Sequence, residues 1–502
     1  FGPLVAATVG GQVLRSTTLA LPYMLKPRER VLVLNARTGM FVAQALENGA
    51  LQVTAVEPHS TVLSLMQHEL ARQTDSLFFH PAVNVRNVDP RTFLMNDTSA
   101  YDLIVLPTLD AFGGTSGLYA TQEQYLLTKE AVREMWQKLS PDGVICITSW
   151  MDYPVRNPLR ALATLVETLS EAGVAKPAQH IAAIRSWGTI TFVAKRTPLT
   201  VVESDSVKAF CERMAFDPAL LPNLNPHERS RNNILQDESF FSLLDAIVSE
   251  NRESVYAAYD FNIQPATDNR PYFSQFLLWR NVTRLRDLVG QHAFPFLELG
   301  SLINPKTLIQ ISALAVMLIL FPLFRKEKMK QSKFSTFMYF GGLGLGYMFV
   351  ELVLIQRFIL YLGHPMYATA AVIGVMLIFS GVGSLVSSRL AVTSSLLRKT
   401  VALVAMMIFA YGIIITPLLH QSIALPAFVK AVLLCLLIAP LAFVMGMPFP
   451  LGLRNLSGRH DEGIPWAWGI NGCLSVIAAP LATLVAVEAG FVVVMVCAAG
   501  AY

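Results

Sequence analysis

The chain has 502 residues, enough for two or three domains, with 53% hydrophobic and 15% charged residues and a formal net charge of +4. Soluble proteins carry about 25% charged residues. The deficit is local: between Phe334 and Tyr502 the acidic residues are Glu351, Asp461, Glu462 and Glu488 alone. Composition therefore excludes a wholly soluble protein and predicts a soluble domain of roughly 300 residues joined to a membrane bundle near Asn304-Pro305-Lys306. The basic excess sits mostly in Arg325-Lys326-Glu327-Lys328-Met329-Lys330 and Lys333. It lies between apolar stretches without aromatic interleaving, which reads as a cytoplasmic loop and not as a nucleic-acid surface. Cys146, Cys211, Cys435, Cys473 and Cys497 form no CxxC and no metal spacing, and read as buried small hydrophobes. The chain opens at Phe1 and closes in the apolar run Phe491–Tyr502. Flanking segments, earlier membrane helices among them, are expected on both sides.

In chain order, Arg30–Asn35 is a short apolar run after a charged turn, as in a buried parallel strand. The turn Ala36–Gly39 leads into a helical stretch, Met40–Asn48. Strands follow at Gln52–Val56, Val83–Val88, Tyr101–Leu106, Val144–Thr148 and Thr189–Lys195. Helices are expected at Ser60–Thr74, Glu123–Leu139 (stopped by Ser140-Pro141-Asp142-Gly143) and Pro158–Ala172. This alternation is the signature of an α/β doubly wound, Rossmann-like parallel sheet. The predicted division is a Rossmann-like domain over 1–200, a smaller α-rich extension with a membrane-proximal segment over 201–304, and a membrane bundle over 305–502.

In a doubly wound sheet ligands bind beyond the carboxyl ends of the strands. Glu57 ends the second strand, where a carboxylate can take both hydroxyls of a ribose. Asp89 follows the third, where a carboxylate can accept from an adenine amino group. The first turn, Asn35-Ala36-Arg37-Thr38-Gly39, stands where a glycine-rich loop lets a nucleotide approach the backbone, yet keeps one glycine. Asn35, Arg37, Gly39, Glu57 and Asp89 are thus the candidate cofactor residues. Each alone also reads as a strand cap or a solvated loop residue.

These segments resemble the membrane-embedded branch of the spermidine synthase-like family, class I S-adenosylmethionine-dependent transferases, over nearly the whole chain. The resemblance runs through Val31–Leu34 with Glu57, Asp89–Leu94, Tyr101–Val105, Leu118-Tyr119 with Glu123–Trp136, and Leu139–Val144. In the membrane half it runs through Leu345–Glu351, Leu362–Pro365, Met445–Gly452 and Trp466–Gly472. It implies S-adenosylmethionine or its decarboxylated form as cofactor, if the protein is active, and transfer of an aminopropyl or methyl group. The departures bear on that activity. Family aminopropyltransferases carry a base, an aspartate, straight after the fourth strand; here Pro107 stands there. Asp110 occupies the place of a second family aspartate, either a displaced base or a loop carboxylate. Arg37 brings bulk and positive charge where a sulfonium would sit. No carboxylate-lined polyamine channel is evident. Methyl transfer, which needs mainly positioning, is not excluded by Pro107.

Seven apolar spans are expected: Thr307–Phe324, Phe334–Ile355, Tyr367–Val386, Thr400–Leu419, Ala427–Met447, Trp466–Val487 and a shorter Gly490–Tyr502. The glycine runs Gly341–Gly346 and Ser380–Ser384 read as close helix packing. Glu351 and Arg357, polar residues in or near the second span, read as a buried pair or as part of a transport path. The basic loops Arg325–Lys333, Arg389–Lys399 and Arg454–Arg459 fall on one side, the cytoplasmic one. The soluble part is then expected on the periplasmic face of an inner membrane, away from cytoplasmic S-adenosylmethionine. Three functions follow in order: a degenerate transferase kept as a structural or accessory subunit among other membrane-protein subunits in the lipid bilayer, an active transferase, and a transporter with a regulatory soluble domain. No metal and no nucleic acid are expected.

Overall fold

Strand β1 (Arg30–Leu34) forms because four consecutive apolar residues bury on both faces of a sheet, and its neighbours follow the same rule. The structure, a computed structural model, describes residues 13–109, 119–233, 239–284, 299–322, 333–423, 425–457 and 463–502. It divides into two compact units, Phe1–Gly300 and Ser301–Tyr502.

In the first unit one eight-stranded sheet runs in the order β3-β2-β1-β4-β5-β7-β6-β8. The strands are β1, β2 (Gln52–Val56), β3 (Val83–Arg86), β4 (Tyr101–Val105), β5 (Leu139–Trp150), β6 (Ile181–Arg185), β7 (Thr189–Lys195) and β8 (Asp217–Leu220). The first five are parallel, whereas β5–β7, β7–β6 and β6–β8 are antiparallel. The all-parallel expectation is corrected there: β6 and β7 are joined by the three residues Ser186-Trp187-Gly188, which can only reverse the chain. Strand β8 escaped sequence reading because it contains Pro218, which is tolerated on an edge strand. It brings the region after residue 200 into the same sheet.

The helices are α1 (Leu21–Leu25), α2 (Met40–Glu47), α3 (Ser60–Gln67), α4 (Pro90–Asn96), α5 (Lys129–Gln137), α6 (Asn157–Glu171), α7 (Val201–Met214), α8 (Ser239–Val248) and α9 (Arg252–Ala258). Side chains alternate across each strand. Val31, Val33, Val53 and Ala55 pack with residues of α1, α2, α3 and α7, while Leu32, Leu34, Val56 and Ile104 pack with residues of α4, α5, α6, α8 and α9. Two predicted helices are shorter. The first ends at Gln67 before a 3-10 turn at Arg72–Thr74, and the second starts at Lys129, capped by the Thr128 hydroxyl. The expected stop Ser140–Gly143 is a bulge within β5: Tyr101 pairs with Leu139 and Leu103 with Val144.

The second unit holds α10 (Leu299–Ala315), α11 (Lys333–Leu362), α12 (Pro365–Ser388), α13 (Ser394–Gln421), α14 (Ala427–Met445), α15 (Pro448–Ser457), α16 (Ile464–Ala489) and α17 (Phe491–Ala501). Among the described residues six stretches are long and apolar enough to cross a membrane, and Phe491–Ala501 is a shorter apolar helix. The protein is an integral membrane protein. Glycines set its tightest packing. A Cβ on Gly341 would lie 2.6 Å from the Leu474 side chain, and one on Gly344 would lie 2.6 Å from the Asn471 carbonyl oxygen. The Asn471 amide donates to the Phe340 carbonyl at 3.0 Å, tying α16 to α11 across this seam.

Candidate functional site

The parallel register aligns the carboxyl ends of β1 and β2, with Leu34 opposite Val56. The turn after β1 is held in an unusual conformation: Asn35, Arg37 and Gly39 have φ of 52°, 50° and 86°. Left-handed backbone costs a residue with a side chain about 1 kcal/mol or more, so something must hold Arg37. That group is Glu57. Its Oε2 accepts from the Arg37 N–H at 2.7 Å and its Oε1 from the His59 N–H at 3.0 Å. Glu57 is 1% exposed. Its carboxylate is turned into its own loop, and a ribose diol would have to compete with two charge-assisted backbone bonds and then be buried.

The other predicted residues surround this clasp. The Asn87 amide donates to the Glu57 carbonyl at 2.8 Å, tying the end of β3 to the end of β2. Asp89 caps α4, its Oδ1 accepting from the Thr92 N–H at 2.9 Å. Burial raises its pKa. Gly39 serves packing: a Cβ there would meet Leu77 at 2.6 Å and Phe78 at 3.2 Å, both buried. The Arg37 and Thr38 side chains are exposed. Pro107 is buried just beyond β4 and supplies no titratable group. Asp110 lies outside the described residues.

Glu351 and Arg357 lie on α11 in the second unit. Six residues apart, they sit about 9 Å along the axis and about 120° around it, which separates them as a pair. Arg357 is buried, its guanidinium over the Phe491 ring at 5.4 Å. Lys430, also buried, donates to the Tyr361 carbonyl at 3.2 Å.

Sequence reading missed a buried charge cluster two residues from Asp89. Arg91 is 1% exposed and donates from Nη2 to Asp268 at 2.8 Å, with Glu134 at 3.0 Å. The Thr128 hydroxyl donates to Asp268 Oδ1 at 2.7 Å, and the Asp268 N–H to Glu130 at 2.9 Å. Three carboxylates thus crowd one guanidinium, and burial pushes the Glu134 carboxyl up to about 7. The cluster fastens the turn Ala266–Pro271 to α4 and the start of α5.

No family model matches the chain, and no curated protein matches it. Solved structures do. A spermidine synthase in complex with the transition-state analogue AdoDATO is 13% identical, over 49% of this chain and 73% of that chain, with a TM-score of 0.28. The spermidine synthase of Thermotoga maritima is 12% identical over 49% and 74%, at a TM-score of 0.29. A probable spermidine synthase of Corynebacterium glutamicum is 20% identical over 40% and 70%, at 0.30. The α/β fold itself rests on the strand order of the sheet.

Proposed function

We propose that this is a membrane-anchored protein whose transferase-like unit is catalytically degenerate and serves as a structural or accessory part of a membrane complex. One observation carries the reading: Glu57, the residue placed to hold a ribose, spends both carboxylate oxygens on the Arg37 and His59 amides and is buried. Pro107 beyond β4 and the exposed Arg37 in the first turn agree with it. S-adenosylmethionine is a cation, and Arg37 disfavours a cation at that turn. The residues present do not fit a sulfonium nucleoside.

Calorimetric titration of the purified full chain with S-adenosylmethionine, and separately with its decarboxylated form, tests the proposal. The expected result is no saturable heat up to millimolar ligand. Micromolar binding that disappears in Glu57→Ala would restore the active-transferase reading.

A further inference from the structure

The first unit carries a polar groove on one face of its edge strands, running from the amino ends of β1 and β2 to the carboxyl end of β3. Helix α4 has only 7 residues and ends at Asn96, so it shields only part of this face. On that face Leu32, Leu34 and Val56 are buried in the core. The same alternation presents Arg30 at the amino end of β1, Gln52 and Thr54 on β2, Asn84 on β3 and Arg86 at the carboxyl end of β3. These side chains line a hollow of about 90 Å³, floored by the buried Tyr101. That volume exceeds the ~10–15 Å³ a single water needs several-fold, so it admits an oxyanion with part of its hydration.

Two arginines, Arg30 and Arg86, face one lining carboxylate, Asp97, which leaves the hollow net positive. Arg30 and Arg86 are exposed, and among the described residues no ion pair involves either. Some exposed arginines elsewhere in the unit do pair, such as Arg15 with Glu47 and Arg231 with Glu212. The carboxylates at this corner are occupied. Asp97 accepts from the Ser99 hydroxyl at 3.0 Å and from its N–H at 3.2 Å. Asp102 accepts from the Ser140 hydroxyl at 2.7 Å and from the Arg30 N–H at 3.0 Å. Burial and the neighbouring Asp97 carboxylate push the Tyr101 phenol up to about 12. Arg30 pairs with Gln52, and Arg86 pairs with Val56. Their Cα atoms are then roughly 10 Å apart across the sheet and 13 Å along it. Two extended arginine side chains can close on one group over Thr54 and Asn84, which face each other midway. Guanidinium forks match phosphate and carboxylate oxygens in just this way.

We propose that this groove is a binding site for a small oxyanion, a phosphoryl or carboxyl group, gripped between Arg30 and Arg86. The test is thermal unfolding of the full chain in detergent with inorganic phosphate, against sodium chloride at matched ionic strength. Phosphate is expected to stabilise the protein saturably in the millimolar range. Arg30→Gln and Arg86→Gln should each raise the half-saturating concentration at least tenfold, while Arg72→Gln, an exposed arginine outside the groove, leaves it unchanged. Arg86→Lys, which keeps the charge and loses the fork, should bind more weakly than wild type, and it decides the matter if a glutamine variant fails to fold. Short-chain phosphatidic acid below its micellar concentration is a second arm. Tighter binding than phosphate assigns the group to a lipid headgroup; equal or weaker binding assigns it to a free anion. Stabilisation that chloride reproduces, or that survives Arg30→Gln/Arg86→Gln or is undiminished in Arg86→Lys, overturns the site.

Discussion

Arg91→Met is expected to destabilise the first unit by about 3–5 kcal/mol, the usual result of removing one partner from a buried ion cluster. The side chain touches Asp268 and Glu134 and is 1% exposed, so its loss leaves the buried Asp268 and the partly buried Glu134 without their cation. Thermal unfolding in detergent measures it. The cluster also carries a pH signature. Glu134 lies 3.0 Å from Arg91, which favours its charged form, yet Asp268 takes the same Nη2 and Glu134 Oε2 has no partner. Desolvation therefore wins, and the folded pKa of about 7 stands above the ordinary 4.5. A carboxyl raised on folding binds its proton more tightly in the folded state. Its contribution is complete below pH 4.5 and is lost as pH rises through 7. Glu134→Gln should consequently match wild type near pH 5 and exceed it at pH 8, by about 1–3 kcal/mol.

Gly344→Leu is expected to have a large effect in the membrane unit. The new Cβ would lie 2.6 Å from the Asn471 carbonyl oxygen and 2.8 Å from the Ser475 hydroxyl. The first of these is backbone, which cannot swing aside, so α11 and α16 must part and the Asn471–Phe340 bond goes with them. Overpacking of this kind costs about 1–3 kcal/mol, and a backbone clash belongs at the upper end. Gly374→Leu is the control: nothing lies within 4 Å of its Cβ position. That variant should be neutral or stabilising by up to ~1 kcal/mol, since glycine is a poor helix former. Resistance to unfolding in mixed detergent micelles distinguishes the two.

Much of the architecture could be read from residue pattern. The alternation of short apolar runs with helical stretches located β1, β2 and β4 closely, because buried parallel strands are apolar on both faces. The glycine run of α11 was legible as close packing for a chemical reason: a run of glycines inside an apolar span has no other common use. Its neighbour was legible only in part. Gly383 of α12 does meet the Phe443 backbone, whereas Gly381 has nothing within 4 Å. What escaped depends on distant partners. Arg91 finds Asp268 across 177 residues, and no local pattern announces that. Strand β6, Ile181–Arg185, is too short and uniform in its burial to tell from a helix fragment. The groove over Thr54 depends on α4 stopping at Asn96, a boundary that composition does not fix. Glu57 is the most instructive case. Its position at the end of β2 was correctly read, but whether its carboxylate faces a ligand or its own loop depends on the φ of Arg37.

That orientation is the centre of the account, and it predicts a positive result where a failed titration gives only a negative one. The measurement is the thermal or denaturant stability of Glu57→Ala against wild type, both without ligand. If the carboxylate holds the first turn, the variant leaves the Arg37 and His59 amides without their acceptor and should lose about 2–4 kcal/mol. If Glu57 is instead reserved for a ribose, its removal should leave the ligand-free protein unchanged or more stable, as removal of a functional polar group commonly does, and that outcome would contradict the account.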